Sequence, residues 1–226
     1  MSDNDREALF VVGTDTGVGK TVVTAGVTGW LRRRGYDALA VKPCQTGYPP
    51  DDDAAVVAEA CGTDAAATCL RRLEPALAPE VAADVADESL SYGGIRDGVR
   101  SAVADSETVV VEGIGGLRVP LAEGREVLDL VTDLGYPTLV VARSGLGTLN
   151  HTALTVDALR ARAVPVVGVV LNEYEGATAA ERTNPAVIKR MTDCPVWTLP
   201  PLELDDPSAS IDAVDEKLPV ATLLGE

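Results

Sequence analysis

The sequence predicts an α/β fold: a mostly parallel central sheet with helices on both faces. Three observations predict it. Six short apolar runs alternate with longer segments of helical length and pattern. The runs are apolar throughout rather than alternating, as in strands covered by helices on both sides. Five of the six end in a loop carrying groups suited to a charged ligand, and open α/β sheets bind ligands beyond the carboxyl ends of their strands. The 226 residues, 46 % of them hydrophobic, suffice for one full core. No linker or internal repeat divides them, so the chain reads as a single domain, 1–226.

The first run, Ala8–Val12, is followed by Gly13-Thr14-Asp15-Thr16-Gly17-Val18-Gly19-Lys20-Thr21 and a helical stretch, Val22–Arg34. Strand, glycine loop, Lys-Thr and helix form the context of a phosphate-binding loop. Glycines let backbone N–H groups point inward at phosphate oxygens, and the helix start adds its partial positive charge. Lys20 would reach the β- and γ-phosphates, and the Thr21 hydroxyl would ligate Mg²⁺. Five residues separate Gly13 from Gly19-Lys20, one more than the common pattern.

Gly35 ends the helix and Ala38–Val41 is the second strand. It runs into Lys42-Pro43-Cys44-Gln45-Thr46-Gly47, a loop at a strand's carboxyl end. Lys42 reads as a ligand-binding cation or as a solvated lysine at a strand end. Asp51, Asp52 and Asp53 precede the alanine-rich Ala54–Ala60, as a helix N-cap or as Mg²⁺ ligands; both roles stay open. Ala65–Ser106 is expected to hold two or three helices, broken by Pro75 and Pro79, with Gly93-Gly94 preceding another.

Thr108–Val111, the third strand, ends in Glu112-Gly113-Ile114-Gly115-Gly116. An acid at the tip of an apolar strand suits a Mg²⁺-holding role; the alternative is a glycine-rich turn with an incidental Glu. Glu126–Leu134 is a short helix, Pro137–Ala142 the fourth strand, and Asn150–Arg162 the helix behind it. The loop between them, Arg143–Leu149, opens on a helix N-terminus, where anions bind. His151, the one histidine, falls in that helix's first turn, in a structural or a catalytic role. Pro165–Leu171, the fifth strand, ends in Asn172-Glu173. The next helix is expected to begin near Asn184-Pro185, with Asn184 as cap. Val196–Leu199, the sixth strand, ends in Pro200-Pro201, and the tail from Asp205 is acidic and loosely patterned.

Composition narrows the function. No run of about 18 apolar residues is present, so no membrane span is expected. The opening MSDNDRE is polar and acidic, unlike a secretory signal. Cys44, Cys61, Cys69 and Cys194 show no C-x-x-C spacing and only one histidine accompanies them, which argues against zinc and suits a reducing cytoplasm. A formal charge of −16 argues against nucleic acid as a partner. Four lysines against 35 acidic residues give the kind of surface that concentrated salt screens. On this halophilic reading the melting temperature rises with KCl into the molar range; no gain in molar KCl would remove the reading.

Together GTDTGVGKT (Gly13–Thr21), VKPCQTG (Val41–Gly47), VEGIGG (Val111–Gly116), LGTLNHTALT (Leu146–Thr155) and VLNE (Val170–Glu173) resemble the dethiobiotin synthetase family, of the SIMIBI branch of P-loop NTPases. The longer phosphate loop is itself a feature of that family. The resemblance implies ATP- and Mg²⁺-dependent joining of CO₂ to 7,8-diaminononanoate, through a carbamate and a carbamic-phosphoric anhydride, with closure of a cyclic urea. It implies Lys20 and Lys42 as catalytic cations. Gly17, Val18, Gly19, Lys20, Thr21 and Val22 would follow the phosphates, and Thr21, Asp53 and Glu112 would hold Mg²⁺. Gly113, Ile114 and Gly115 would line the pocket, Asn172 and Glu173 would meet the adenine edge, and Leu199, Pro200 and Pro201 would pack on the base. Thr46 would contact the substrate. Gly147, Thr148, Leu149 and Asn150 would take its carboxylate across the interface of a homodimer.

The chain departs from the family in places. Many members carry Ser-Pro-His where this chain has Ala78-Pro79-Glu80, and a subset has Glu in place of Gly17. Asn184 lies near a position where some members place a substrate-contacting Tyr. Two other readings share the fold. One is the ATP-binding domain of a cobyrinic or cobyric acid amidotransferase, which works with a Cys- and His-bearing glutaminase domain. The other is a MinD/ParA-type switch, whose signature lysine is replaced here by Asp15. On the synthetase reading, Lys20→Ala and Lys42→Ala each remove most turnover, one oxyanion-type contact being worth about 10²–10³ in rate.

Overall fold

The computed structural model describes residues 7–202 and 206–225. Met1–Arg6, which begin the polar N-terminal segment, and Glu203–Asp205 and Glu226 of the C-terminal stretch lie outside the described residues. One sheet holds β1 (Glu7–Gly13), β2 (Ala38–Lys42), β3 (Ala67–Cys69), β4 (Thr108–Gly116), β5 (Thr138–Arg143), β6 (Val166–Asn172) and β7 (Val196–Thr198). Their order is β7-β6-β5-β1-β4-β2-β3, and every pairing is parallel.

The helices are α1 (Lys20–Arg33), α2 (Asp53–Cys61), α3 (Pro79–Ala86), α4 (Tyr92–Asp105), α5 (Val127–Leu134), α6 (Thr148–Ala161), α7 (Ala179–Thr192), α8 (Ala209–Lys217) and α9 (Val220–Leu224). Successive side chains of a strand face opposite ways, and here both faces are buried. Leu9 and Val11 of β1 pack with Val23 and Val27 of α1 and Val214 of α8. Phe10 and Val12 pack on the other side with Ile95 of α4, Val131 of α5 and Val156 of α6. Glycine lets α1 and α8 approach: a Cβ on Gly26 would stand 2.3 Å from Val214 Cγ2, and one on Gly29 2.3 Å from Ile211 Cδ1.

All six expected strands form. A seventh, β3, lies within Ala65–Ser106, where only helices were expected. It is a three-residue edge strand, Ala-Thr-Cys, too short to leave an apolar run. Two helices, α3 and α4, do form there. Pro79 does not break a helix but starts one, at the first helical position where a missing N–H costs nothing. Gly93 and Gly94 lie inside the first turn of α4, and Ser91 caps it by accepting from Gly94 N at 3.3 Å.

The expectation for α7 is corrected. The helix begins at Ala179, not near Asn184, because Thr178 and Glu181 form a capping box: Glu181 N donates to Thr178 Oγ1 and Thr178 N to Glu181 Oε2, both at 3.1 Å. Pro185 is an interior residue of the helix. The C-terminal stretch is also more regular than its pattern: α8 and α9 bury Ile211, Val214, Val220 and Leu223 on the α1 face of the sheet. No described helix is long and apolar enough to cross a membrane.

Candidate active site

The site grows from the carboxyl ends of adjacent strands. β1 delivers the phosphate loop, and Gly19 caps α1 at φ 96°. That conformation favours glycine, and so does crowding: a Cβ there would stand 2.0 Å from Asn172 Nδ2. Asn172, at the end of β6, is therefore packed against the phosphate loop. Lys20, the first residue of α1, is buried and its Nζ donates to Asp15 O at 3.0 Å. Burial first, and then the charge of Lys42, lower its pKa to about 8.

Register brings Lys42 to Glu112. Val41 of β2 pairs with Val111 of β4, so the next residue on each strand meets across the sheet. Lys42 Nζ donates to Glu112 Oε1 at 2.8 Å and to Gly113 O at 3.1 Å, and pairs with Asp53 Oδ2 at 2.5 Å. Thr21 Oγ1 donates to the same Glu112 oxygen at 3.0 Å. Burial alone would lower the Lys42 pKa, but the carboxylates of Glu112 and Asp53 outweigh it and hold the ammonium charged. Burial is the largest single influence on Asp53 and raises its pKa, but the Lys42 charge and the hydrogen bonds from Lys42, Glu112 and Thr21 together outweigh it, so Asp53 titrates below the usual range. Burial dominates at Glu112, which is 2 % exposed and titrates above that range.

The structure bears on three open alternatives. Lys42 is not a solvated lysine, being 5 % exposed. Glu112 is not incidental to a turn. Asp52, not Asp53, caps α2 by accepting from Ala55 N at 3.2 Å, which leaves the Asp53 carboxylate to Lys42. No group of three or more His, Cys, Asp or Glu able to hold a metal occurs among the described residues. The two carboxylates and the Thr21 hydroxyl nevertheless gather as hard oxygen donors around one point, and Mg²⁺ takes a few such ligands beside phosphate and water. The residues present fit that ion.

The remaining residues frame this cluster. Thr46 is half-buried, and Gln45 Nε2 donates to its carbonyl at 2.8 Å. Gly113 and Gly115 continue β4 past Glu112. Gly147 caps α6 at φ 95°, Thr148 is buried, Leu149 half-buried, and Asn150 and His151 are exposed. Glu173 is exposed at φ 53°, and Tyr174 N donates to Leu199 O at 2.8 Å, bringing the ends of β6 and β7 together. Val18, Ile114 and Leu199 have core side chains. At the end of β7 Pro200 is half-buried and Pro201 exposed, and Val22 is half-buried on α1.

Four residues had no role in the sequence reading that matches their place here. Arg143 Nη2 donates to Thr16 O of the phosphate loop at 3.3 Å. Ser144 and Asn184 hydrogen-bond beneath the head of α6. Asn184 is thus neither a cap nor exposed to a ligand. Glu80 accepts from Gly124 N at 2.6 Å, tying α3 to the hairpin Pro120–Ala122/Arg125–Glu126.

A family model described as an AAA domain matches residues 7–207. ATP-dependent dethiobiotin synthetase BioD of Haloferax mediterranei is 66 % identical over 98 % of this chain and 95 % of its own length. The protein of that name from Anaeromyxobacter sp. (strain Fw109-5) is 47 % identical over 81 % of this chain and 85 % of its own. Among solved structures, a ParA family ATPase from Chlorobium tepidum TLS superposes with a TM-score of 0.63 at 12 % identity, covering 98 % of this chain and 97 % of that one. The cell division ATPase MinD of Pyrococcus furiosus gives 0.59 at 14 %, over 96 % and 95 %. Such low identities establish the shared P-loop fold and nothing finer. The sequence relatives decide between the branches of that fold, since their identity extends over most of both chains: this chain belongs to the dethiobiotin synthetase family.

Proposed function

We propose that the chain, acting as one domain, uses ATP, Mg²⁺ and CO₂ to convert 7,8-diaminononanoate to dethiobiotin. The observation that supports this most is the buried meeting of Lys42, Glu112, Asp53 and Thr21 beside Lys20. One substrate amine adds to CO₂ and loses a proton, giving a carbamate. A carbamate oxygen attacks the γ-phosphorus of ATP, the bond to the bridging oxygen breaks, and ADP leaves. The second amine attacks the carbon of the resulting anhydride, phosphate departs, and the ring closes with loss of a proton.

Charge stabilisation dominates such a sequence. Lys20 moves its hydrogen bond from Asp15 O to the β- and γ-phosphates. Lys42, released in part from its carboxylates, neutralises the carbamate oxygen and the phosphoryl group in transit. Mg²⁺, held by Thr21, Asp53 and Glu112, would neutralise phosphate charge. Thr46 contacts the diamine end, Asn172 and Glu173 meet the adenine edge, and Leu199–Pro201 flank the base. The N–H groups at the head of α6, Gly147–Asn150, take the substrate carboxylate.

We place a second copy of the chain against α6. Leu146, just before α6, is 98 % exposed and Leu154, on α6, is 61 % exposed, apolar surface that a second copy would cover. Leu154→Asp combined with Leu146→Asp is expected to convert a dimer to a species near the chain mass of 23.5 kDa, read by sedimentation. Four free cysteines and ATP as co-substrate suit the cytoplasm.

The direct test incubates the protein with ATP, Mg²⁺, bicarbonate and 7,8-diaminononanoate in high KCl and seeks dethiobiotin by mass spectrometry. Product that requires all four components is the expected result. Its absence from folded, ATP-binding protein would mean a wrong diamine assignment, with Glu80 the first residue to test.

A further inference from the structure

Asn184 sits midway along α7 and is 4 % exposed. Its Nδ2 donates to Ser144 O at 2.8 Å and to Gly145 O at 3.1 Å. Gly145 O also accepts from Thr148 N, at 3.4 Å, in the first turn of α6. Ser144 is 4 % exposed, and its Oγ donates to Glu173 O at 3.0 Å. Glu181 Oε1 lies 3.5 Å from the same hydroxyl, and its other oxygen belongs to the capping box of α7.

A buried carboxamide costs free energy unless its groups are bonded. Both carbonyls engaged by Asn184 belong to the short Ser144–Gly147 turn that opens α6. This turn carries two glycines, so apart from the Ser144 hydroxyl nothing in its own side chains stiffens it. The first N–H groups of a helix lack partners within it, and their direction depends on how the turn is held.

We propose that Asn184 and Ser144 are positioning residues that orient the head of α6 for the substrate's carboxylate and fasten it to the loop after β6. The inference rests on the reading of Gly147–Asn150 as the carboxylate-binding turn. Neither side chain is assigned a substrate contact: Asn184 fixes two carbonyls of the turn, and the Ser144 hydroxyl joins the turn to Glu173 O. The Ser144 bond to Glu173 O ties that turn to the strand end carrying Asn172, so the two ligand-facing loops share one anchor.

The test is Asn184→Leu, of similar volume with no donor, and Ser144→Ala, which deletes one atom. Amide hydrogen exchange at Gly147–Leu149, the KM values for diamine and ATP, and melting temperature are read together on the full chain. For Asn184→Leu, faster exchange at those amides is expected, with a diamine KM raised about tenfold, the order of two lost hydrogen bonds, and an ATP KM within about twofold of the parent, the phosphate loop being untouched. Ser144→Ala is expected to speed the same exchange and raise the diamine KM by less, with the ATP KM rising alongside because its lost bond holds the loop proposed to face adenine, and it carries the test if Asn184→Leu does not fold. Unchanged exchange in both variants would overturn the proposal, whatever happens to melting temperature. Faster exchange with an unchanged diamine KM would overturn the assignment of the turn to substrate. Absence of dethiobiotin formation by the parent protein would instead mark failure of the functional reading itself.

Discussion

Lys42→Ala is expected to abolish measurable turnover and to lower the melting temperature sharply. The first effect follows from the role proposed for Lys42, a cation facing the carbamate and the transferring phosphoryl group, about 10²–10³ in rate for one such contact. The second follows from what remains. Glu112 is 2 % exposed and would lose the Lys42 ammonium while keeping the Thr21 hydroxyl at 3.0 Å, and Gly113 O would lose its bond from Lys42 Nζ. Deleting one member of a buried ion pair costs about 3–5 kcal/mol, a large share of the roughly 5–15 kcal/mol that holds a domain together.

The deficit has a signed pH dependence. Glu112 already titrates above the carboxylate range because burial outweighs Lys42, and losing Lys42 raises it further. The folded variant then holds that proton more tightly than the unfolded chain. Its deficit is smallest in acid and grows as pH rises through the raised Glu112 pKa. Thermal melts of variant and parent across the acid-to-neutral range check this. Lys42→Ala/Glu112→Gln should recover much of the melting temperature and none of the turnover. A melting temperature unchanged in Lys42→Ala would mean that the pair is not buried as described.

Much of this arrangement is written locally in the sequence and some of it is not. β1, β2, β4, β5, β6 and β7 announce themselves because burial on both faces demands unbroken apolar runs. The phosphate loop is legible for a different reason: glycines, Lys20 and Thr21 are consecutive. β3 is silent because three residues at a sheet edge need no apolar pattern. The start of α7 was misplaced because Asn184-Pro185 imitates a cap, while the true signal, Thr178 and Glu181 three residues apart, stands earlier. Contacts far apart in sequence are the hardest to read. Lys42 and Glu112 are 70 residues apart, and only the register of β2 on β4 unites them. Asn172 leans on Gly19 across most of the chain, so the need for glycine there was visible as a motif but not as a contact. The proposed substrate comes from resemblance, since no local rule turns a helix-opening turn into a diamine site.

Lys20→Met is expected to be as inactive as Lys42→Ala yet more stable than the parent. Lys20 is 7 % exposed, and its ammonium donates to a neutral carbonyl, Asp15 O. Burial, and then Lys42, lower its pKa from 10.5 to about 8. A cation whose folded pKa lies below its unfolded value opposes folding while it is charged in both states. A fall of that size corresponds to about 2–4 kcal/mol, a burden offset only when phosphate arrives. Methionine fills similar volume without charge, so below pH about 8 the variant should melt higher. Between that pH and 10.5 the unfolded chain binds the extra proton, parent stability rises with pH, and the advantage of Lys20→Met closes. Turnover should fall by at least the 10²–10³ expected for a lost phosphate contact, with ATP affinity weakened in parallel. The parent shows the same titration from the other side: its kcat/KM for ATP should decline above pH about 8 as free Lys20 loses its proton. Melting curves at neutral pH and near pH 10 decide the matter. A variant that melts lower than the parent at neutral pH would show that Lys20 holds the phosphate loop together rather than straining it.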